Sequence, residues 1–556
     1  MNIAAQYDTR CFLLVWHDVF RQFLFCIAIP IAVSGQTIPV FPGAEGFGTT
    51  TPAGRGGEII KVTTLDASGP GSLKEAIDAS GKRTIVFEVG GIIDLRPTGN
   101  CRHLAIRNPY CTIAGQTAPS PGITIIGYGI QIHTHDVLVQ HLAIRNLDHH
   151  GPGGDCRHSF YIQNASNVVI DHCTCTWSPN KLISTWSKCN GETHDITVSN
   201  TILAENFNCA GVHSEGCHSK GFLLGDGSLN VTIKNCLFSD NWDRNPAIKG
   251  GSTSQIVNNI VYYPGEVAIV ITEDAYCGSK PVKTSIVGNV LKSGRKTRLI
   301  YDYFIGPFHV NSSDTRIYAH DNLGDTNYVY TQHPQWYPPR FEAFNPESVP
   351  PECIASSPEE AAWTRPMTVL SSDETYEHVL RHAGYRVADN DTIDSRIVNE
   401  VVQGWGMILD SLGQVPGGMP EYPSTNRELS FPDNYNSDDD GDGYTNLEEI
   451  LHEMAEAVQG LGRDLTIPLQ TINNAISDKK PYICIGTDKL KLPSLEQKKR
   501  YSIVLLSPDG RIVRQLCGKT AGELNLSTRG LHTGIYLIQI SSTPNSLVSS
   551  TKYIHQ

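Results

Sequence analysis

The sequence predicts an all-β chain, a right-handed parallel β-helix followed by a small C-terminal β-sandwich. Three observations carry this. Short segments rich in Val, Ile and Thr recur every roughly 20–35 residues, at 168–170, 196–203, 230–238 and 254–263, each ending at Asn, Gly, Asp or Ser. Three of them share one grammar, VVIDHC, ITVSNT and VTIKNC, in which alternating β-formers give way to Asn or His plus a small or sulfur residue. No helical periodicity separates them. Coils stacked in this way form long parallel sheets, with loops of variable length leaving one side.

Composition sets the outer bounds. A chain of 556 residues is too long for one compact core, whereas a solenoid grows by adding coils. Net charge is -13, so no nucleic-acid partner is expected. A local basic cleft can still receive an anion.

Taken in order, residues 1–35 read as a signal peptide. Arg21 precedes an apolar run of eleven residues, Phe23 to Val33, and Ser34, Gly35 and Gln36 follow. That run is too short to span a bilayer, so no transmembrane segment is expected and the protein is read as secreted or held at the cell surface. Of fifteen cysteines, Cys11 and Cys26 leave with the signal, and export permits disulfides among the rest. Cys101/Cys111, Cys173/Cys189 and Cys209/Cys217 are near enough to pair, but connectivity stays open. Cys173 and Cys175 read as an inward–outward pair on one coil, not as a metal site.

The mature region opens with FPGAEGFG (41–48), GRGGEIIKVTTL (54–65), GPGSLKEAI (69–77) and IVFEVGGII (85–93). IDHCTCTW (170–177) and DRNPAI (243–248) follow later. This ordered string resembles the pectate lyase superfamily, over roughly Phe41 to Tyr263 and more weakly to Trp405. The resemblance implies a pectin-lyase-like solenoid over residues 36–405 that cleaves polygalacturonate or pectin, acidic plant polysaccharides, by β-elimination. A base takes the proton on the carbon α to the uronate carboxylate, and cations must neutralise that carboxylate. It implies Arg244 as base, Lys220 and Lys249 as substrate-binding cations, and Asp155 as a calcium ligand. Arg244 needs a cationic neighbourhood to act as a base, since an ordinary guanidinium titrates above 12. Asp171 and His172 read as pegs between coils.

One departure stands at Trp177-Ser178-Pro179-Asn180-Lys181. Relatives place an acidic pair here, whereas this chain has Asn180, a tolerable oxygen ligand, beside the cation Lys181. Calcium wants 6–8 oxygens and enough negative charge. Three readings stay open: calcium enters only with substrate, Lys181 replaces it as in a pectin-lyase-like enzyme, or the site is degenerate and the β-helix only binds acidic polysaccharide.

Gln335 to Pro366 reads as a Pro-rich aromatic excursion wrapping the β-helix. Two helices follow, over 371–386 and 392–404, the first with an acidic opening turn and each stopping at glycine. Residues 406–475 read as a linker carrying an EF-hand-like calcium loop at 438–449. Asp438, Asp440 and Asp442 hold positions 1, 3 and 5, Gly443 position 6, Tyr444 position 7, Asn446 position 9 and Glu449 position 12. A structural role for that calcium is expected. Residues 480–556 alternate apolar and polar around a PDG turn, as an antiparallel sandwich does. They resemble the C-terminal sorting domain of Bacteroidetes type IX secretion cargo, which implies an address for secretion machinery. The whole is read as a monomer.

Overall fold

The computed structural model describes residues 38–96, 103–147, 158–210, 216–299, 303–325, 340–364, 366–463 and 465, and the backbone of short strands between 484 and 555. The signal segment, Asp155 and Cys101 lie outside the described residues. The chain divides into two units, 1–466 and 467–556.

In the first unit, the described strands form three long sheets of ten, eight and eleven strands, coil on coil. One coil runs through all three, as in His158–Gln163, Ser166–Asp171 and Thr174–Thr176, and the next begins at Lys181–Trp186. Pairing between coils is parallel and in register, for example Val168↔Ile196 and Ile196↔Val231. The parallel β-helix expected from the repeats is thus the observed architecture. Its interior is one continuous apolar column from Val62 to Cys353.

The repeated grammar has a conformational cause. The strands 166–171, 194–199 and 229–234 each end at a corner residue with left-handed backbone: His172 (φ 44°), Asn200 (φ 48°) and Asn235 (φ 54°). Asn tolerates that region better than β-branched residues do. The next residue, Cys173, Thr201 or Cys236, is buried inside the corner. Asp171 is a peg between coils, accepting from Gln140 Nε2, Ser199 Oγ, Asn200 Nδ2 and His172 Nδ1. Because the corner interrupts the alternation, Cys173 and Cys175 both face the core. The inward–outward reading of that pair was wrong.

Both ends are plugged. At the N-terminal end the helix Leu73–Asp78, capped by Ser72, buries Leu73, Ala76 and Ile77. At the other end the Pro-rich excursion inserts Ala343, Phe344, Val349 and Cys353 into the column. The helices Ser372–His382 and Thr392–Gln403 lie on the outer face of the eleven-stranded sheet, with Val379, Leu380, Ile397 and Val401 against Ile202, Leu237 and Ile260.

The 406–475 stretch is not a free linker. Its described part packs on the β-helix: Thr425–Asn426 pairs antiparallel with Val89 and Gly90, and the helix Asn446–Gln459 buries Leu447 and Leu451 against Val86 and Ala114. That helix went unpredicted because its apolar stripe follows directly on the acidic loop. Cys209–Cys217 is a disulfide as the spacing allowed, but Cys189 pairs with Cys277, while Cys111 and Cys173 are free. Cys189 and Cys277, 88 residues apart, meet because intervening coils return the chain to the same edge.

In the second unit the described strands form two antiparallel sheets, one of three strands and one of four.

Candidate functional site

The eight-stranded sheet gathers most of the expected site residues. Its register aligns His158 with Lys181, Lys181 with Lys220, and Lys220 with Asp243, so successive coils stack these side chains at the head of the sheet, about 4.8 Å per step. Arg244 follows in the same place. Between Lys220↔Asp243 and Leu223↔Ala247 one strand spends two residues and the other three, which is a β-bulge. Arg244 is the bulged residue, with left-handed backbone (φ 59°), and its side chain remains 29% exposed. Backbone bonds lock it in place: Phe222 N–H donates to the Arg244 carbonyl at 2.7 Å and Gly221 N–H to that of Asp243 at 3.1 Å. Position 221 must be glycine here, since a Cβ would stand 2.3 Å from Asn245 Oδ1.

Asp243 is the residue that sequence reasoning missed. Its carboxylate accepts from Lys220 Nζ at 2.8 Å and from the Arg244 N–H at 2.6 Å, and lies 3.8 Å from Arg244 Nε. Its place immediately before Arg244 was the available signal. His158 was also missed. Buried beneath Lys181, it is held well below the ordinary imidazole range by desolvation and then by that lysine's charge.

Asn180 is buried, and its Oδ1 accepts from Lys181 Nζ at 2.7 Å. Among the described residues this column does not fit a calcium ion: Asn180 faces an ammonium, and the one carboxylate is engaged by Lys220 and Arg244. Lys249 stands apart. It follows Ile248, which pairs with Leu224, at the opposite end of the strand from Lys220, about 16 Å away at ~3.3 Å per residue. Its charge bears on Asp274.

The acidic loop is a separate site. Carboxylate oxygens of Asp438, Asp440 and Asp442 lie within 4.8 Å of one another. Asp438 accepts from the N–H groups of Gly441 and Gly443, and Asp442 from that of Tyr444. Asn446 and Glu449 come from the first turn of the helix Asn446–Gln459. Glu449 is pushed above the ordinary carboxylate range by desolvation and by Asp440, Asp442, Asp438 and Asp439. This oxygen-only, charge-crowded set fits calcium.

Residues 123–322 match the family model described as a right handed beta helix region. The probable pectate lyase C of Emericella nidulans is 34% identical over 236 residues, 42% of this chain and 50% of that protein. By sequence the chain is similar to proteins described as probable pectate lyases. The probable pectate lyase C of Aspergillus terreus is 33% identical over 293 residues, and that of Aspergillus flavus 28% over 368. The chain spans 50% and 63% of the lengths of the Emericella nidulans and Aspergillus terreus relatives, and 78% of the Aspergillus flavus one. Among solved structures, a pectate lyase bound to a hexasaccharide is similar with a TM-score of 0.42 at 14% identity, covering 63% of this chain and 99% of that one. The cedar pollen allergen jun a 1 gives 0.41 at 16%, covering 60% and 91%. The region matched by the family model contains the column from His158 to Arg244. No helix of the described residues is long and apolar enough to cross a membrane.

Proposed function

We propose that this protein is a secreted polysaccharide lyase that cleaves polygalacturonate by β-elimination, with Arg244 as base. The observation that carries the reading is the column itself: Lys181, Lys220 and Arg244, from three consecutive coils, converge at the head of one sheet, and a bulge presents the arginine.

The chemistry follows from these groups. Lys181 and Lys220 bind the uronate carboxylate, which makes the neighbouring C–H more acidic by stabilising charge that develops next to it. Arg244, in its neutral form, takes that proton. The electron pair becomes a carbon–carbon double bond, and the glycosidic oxygen leaves from the adjacent carbon and is protonated by water. Asp243 orients the two cations and offsets part of their charge. Lys249, at the far end of the sheet, binds a uronate further along the chain.

The described residues of this column offer calcium only the carboxylate of Asp243, which Lys220 already engages, and Asp155 lies outside them. The ammonium of Lys181 supplies the positive charge that a metal ion would bring, which favours a calcium-independent, pectin-lyase-like variant of the reaction. The loop 438–449 would hold calcium through Asp438, Asp440, Asp442, Tyr444, Asn446 and Glu449, and the ion would brace the start of the helix Asn446–Gln459. The signal at 1–35 and a sorting-type sandwich at 480–556 complete the reading of a secreted monomer addressed to secretion machinery.

The test is the ultraviolet absorbance of unsaturated uronate products, with polygalacturonate and methylated pectin as substrates and with calcium or chelator present. Product from either substrate supports the reading, and no product under any condition refutes it. A binding-only β-helix is then read from retention on a pectate gel without cleavage.

A further inference from the structure

Below the cations runs a set of buried asparagines that sequence reasoning did not single out. Asn206, Asn241 and Asn245 are at most 1% exposed. Asn206 Nδ2 donates to two backbone carbonyls at once: that of Asn180 at 2.7 Å, the residue before Lys181, and that of Lys220 at 3.0 Å. The Asn206 backbone N–H donates to Asn241 Oδ1 at 3.0 Å. Asn241 Nδ2 donates to Asn245 Oδ1 at 3.1 Å, the residue after Arg244, and also to the Leu203 carbonyl at 2.9 Å. Ser219 locks the set from the side, donating through Oγ to the Asn206 carbonyl and accepting the Trp242 N–H.

One relay of amides therefore touches the main chain next to Lys181 and at Lys220, and the side chain of the residue after Arg244. Parallel pairing alone fixes the spacing of neighbouring strands. At Arg244 the regular register is broken, and the bonds from Gly221 and Phe222 hold the bulge only through the carbonyls of Asp243 and Arg244. Amide side chains, which carry both donors and an acceptor, add a second link beside these backbone bonds. We infer that Asn206 and Asn241 are positioning residues, which set where Arg244 stands relative to the lysines that hold the uronate. The inference rests on the proposed reading of the column. It adds residues that touch no substrate.

Geometry dictates the expected effect. The lysines have long stems that still reach a carboxylate after a small shift of their backbone. A base has to lie within hydrogen-bond reach of one proton, and about 1 Å of misplacement is enough to cost on the order of 100-fold. Loss of the relay should therefore fall on kcat more than on KM.

The experiment compares Asn206→Ala, Asn241→Ala and the double variant with a control, Asn289→Ala. Asn289 is as buried and belongs to a different amide ladder, with Asn259 and Asn322, inside the corner between the ten- and eleven-stranded sheets. All are assayed on polygalacturonate well below their melting temperatures. The relay variants should lose about 10- to 100-fold in kcat with KM changed by less than about threefold, and the double should be no worse than the weaker single, as expected for residues acting as a unit. Asn289→Ala should lower the melting temperature comparably and keep kcat within about twofold. Wild-type kcat in both relay singles, or an equal loss in Asn289→Ala, overturns the inference. Should Asn206→Ala fail to fold, Asn241→Ala carries the same comparison. If the wild type binds polygalacturonate without cleaving it, the lyase reading fails by itself. The relay is then judged by crystal structures of the variants, in which Arg244 should shift by about 1 Å relative to Lys220 in Asn206→Ala and stay in place in Asn289→Ala, and an unshifted Arg244 overturns it. A wild type that neither cleaves nor binds overturns both.

Discussion

At Arg244 the decisive feature is a backbone one. A non-glycine residue with φ of 59° in a bulge is disfavoured on its own and persists because the neighbouring coils bond to both its flanks. Arg244→Ala should leave fold and binding intact and lower turnover by ~10²–10⁴, measured as initial rate of ultraviolet product. The sign of the prediction at Lys181 comes from charge. Its ammonium donates to Asn180 at 2.7 Å, so wild-type activity should persist in chelator, whereas Lys181→Glu should either abolish cleavage or make it calcium-dependent. Complete loss of wild-type activity in chelator, in a Glu449→Ala background that stays folded, would show that a metal ion does work at the column. Arg244 and Lys220 were singled out by motif resemblance, each standing in a recognisable string, and Lys181 by its departure from one. Asp243, His158 and Asn206 were not. Their roles depend on which residues the coil register brings face to face, and residue spacing along one strand does not carry that.

Among elements, the helices added to the outside of the β-helix carry buried charge with it. Glu205, which accepts from Nη1 and Nη2 of Arg396, Asp240 and Glu400 meet between the eleven-stranded sheet and the helix Thr392–Gln403. Glu400 is pushed up to about 7, from an ordinary 4.5, by burial first and then by Glu205, with Arg396 opposing. A carboxyl raised on folding contributes stability that is complete below 4.5 and lost as pH rises through about 7. Glu400→Gln should therefore match the wild type in acid and exceed it in stability above pH 7 by on the order of 1–3 kcal/mol, read from thermal melts across pH. The acidic loop gives the complementary test. Calcium at about 100 times its Kd should stabilise the chain by about 2.7 kcal/mol, and Asp438→Ala or Glu449→Ala should remove that increment without changing the cleavage chemistry. An identical melting profile with and without chelator would show the loop to be merely solvated. The two helices were readable from caps and stripes, Ser371 and Glu374 forming a capping box and Gly404 a left-handed stop. The docking of 406–463 was not, because a strand of two residues leaves no periodic signal and the stripe Leu447, Leu451, Ala455 and Val458 follows directly on an acidic loop that reads as linker.

Over the whole molecule, stacked coils explain both how the fold was legible and where it closes on itself. Regular repeats give one apolar column, and each corner needs a left-handed residue, so the grammar of the sequence is the grammar of the corners. The same stacking lines up histidines where the helices dock. His141 and His172 stack at 5.2 Å, His378 and His382 lie at 4.9 Å, and Gln459 reaches both His141 and His172. Burial pushes His141 down to about 3 and His382 to about 4, from an ordinary 6.5. A histidine lowered on folding contributes stability that is present above 6.5 and lost as pH falls toward those values, so melting temperature should drop between pH 6.5 and 4, and His382→Gln should flatten the drop. The central claim is that a column of cations on the eight-stranded sheet performs β-elimination with Arg244 as base. Its most direct test is the rate of ultraviolet absorbance on polygalacturonate for the wild type and Arg244→Ala, paired with retention of both on a pectate gel. The account predicts product from the wild type, equal retention, and a variant slower by ~10²–10⁴. Equal rates, or no product from the wild type, would contradict it.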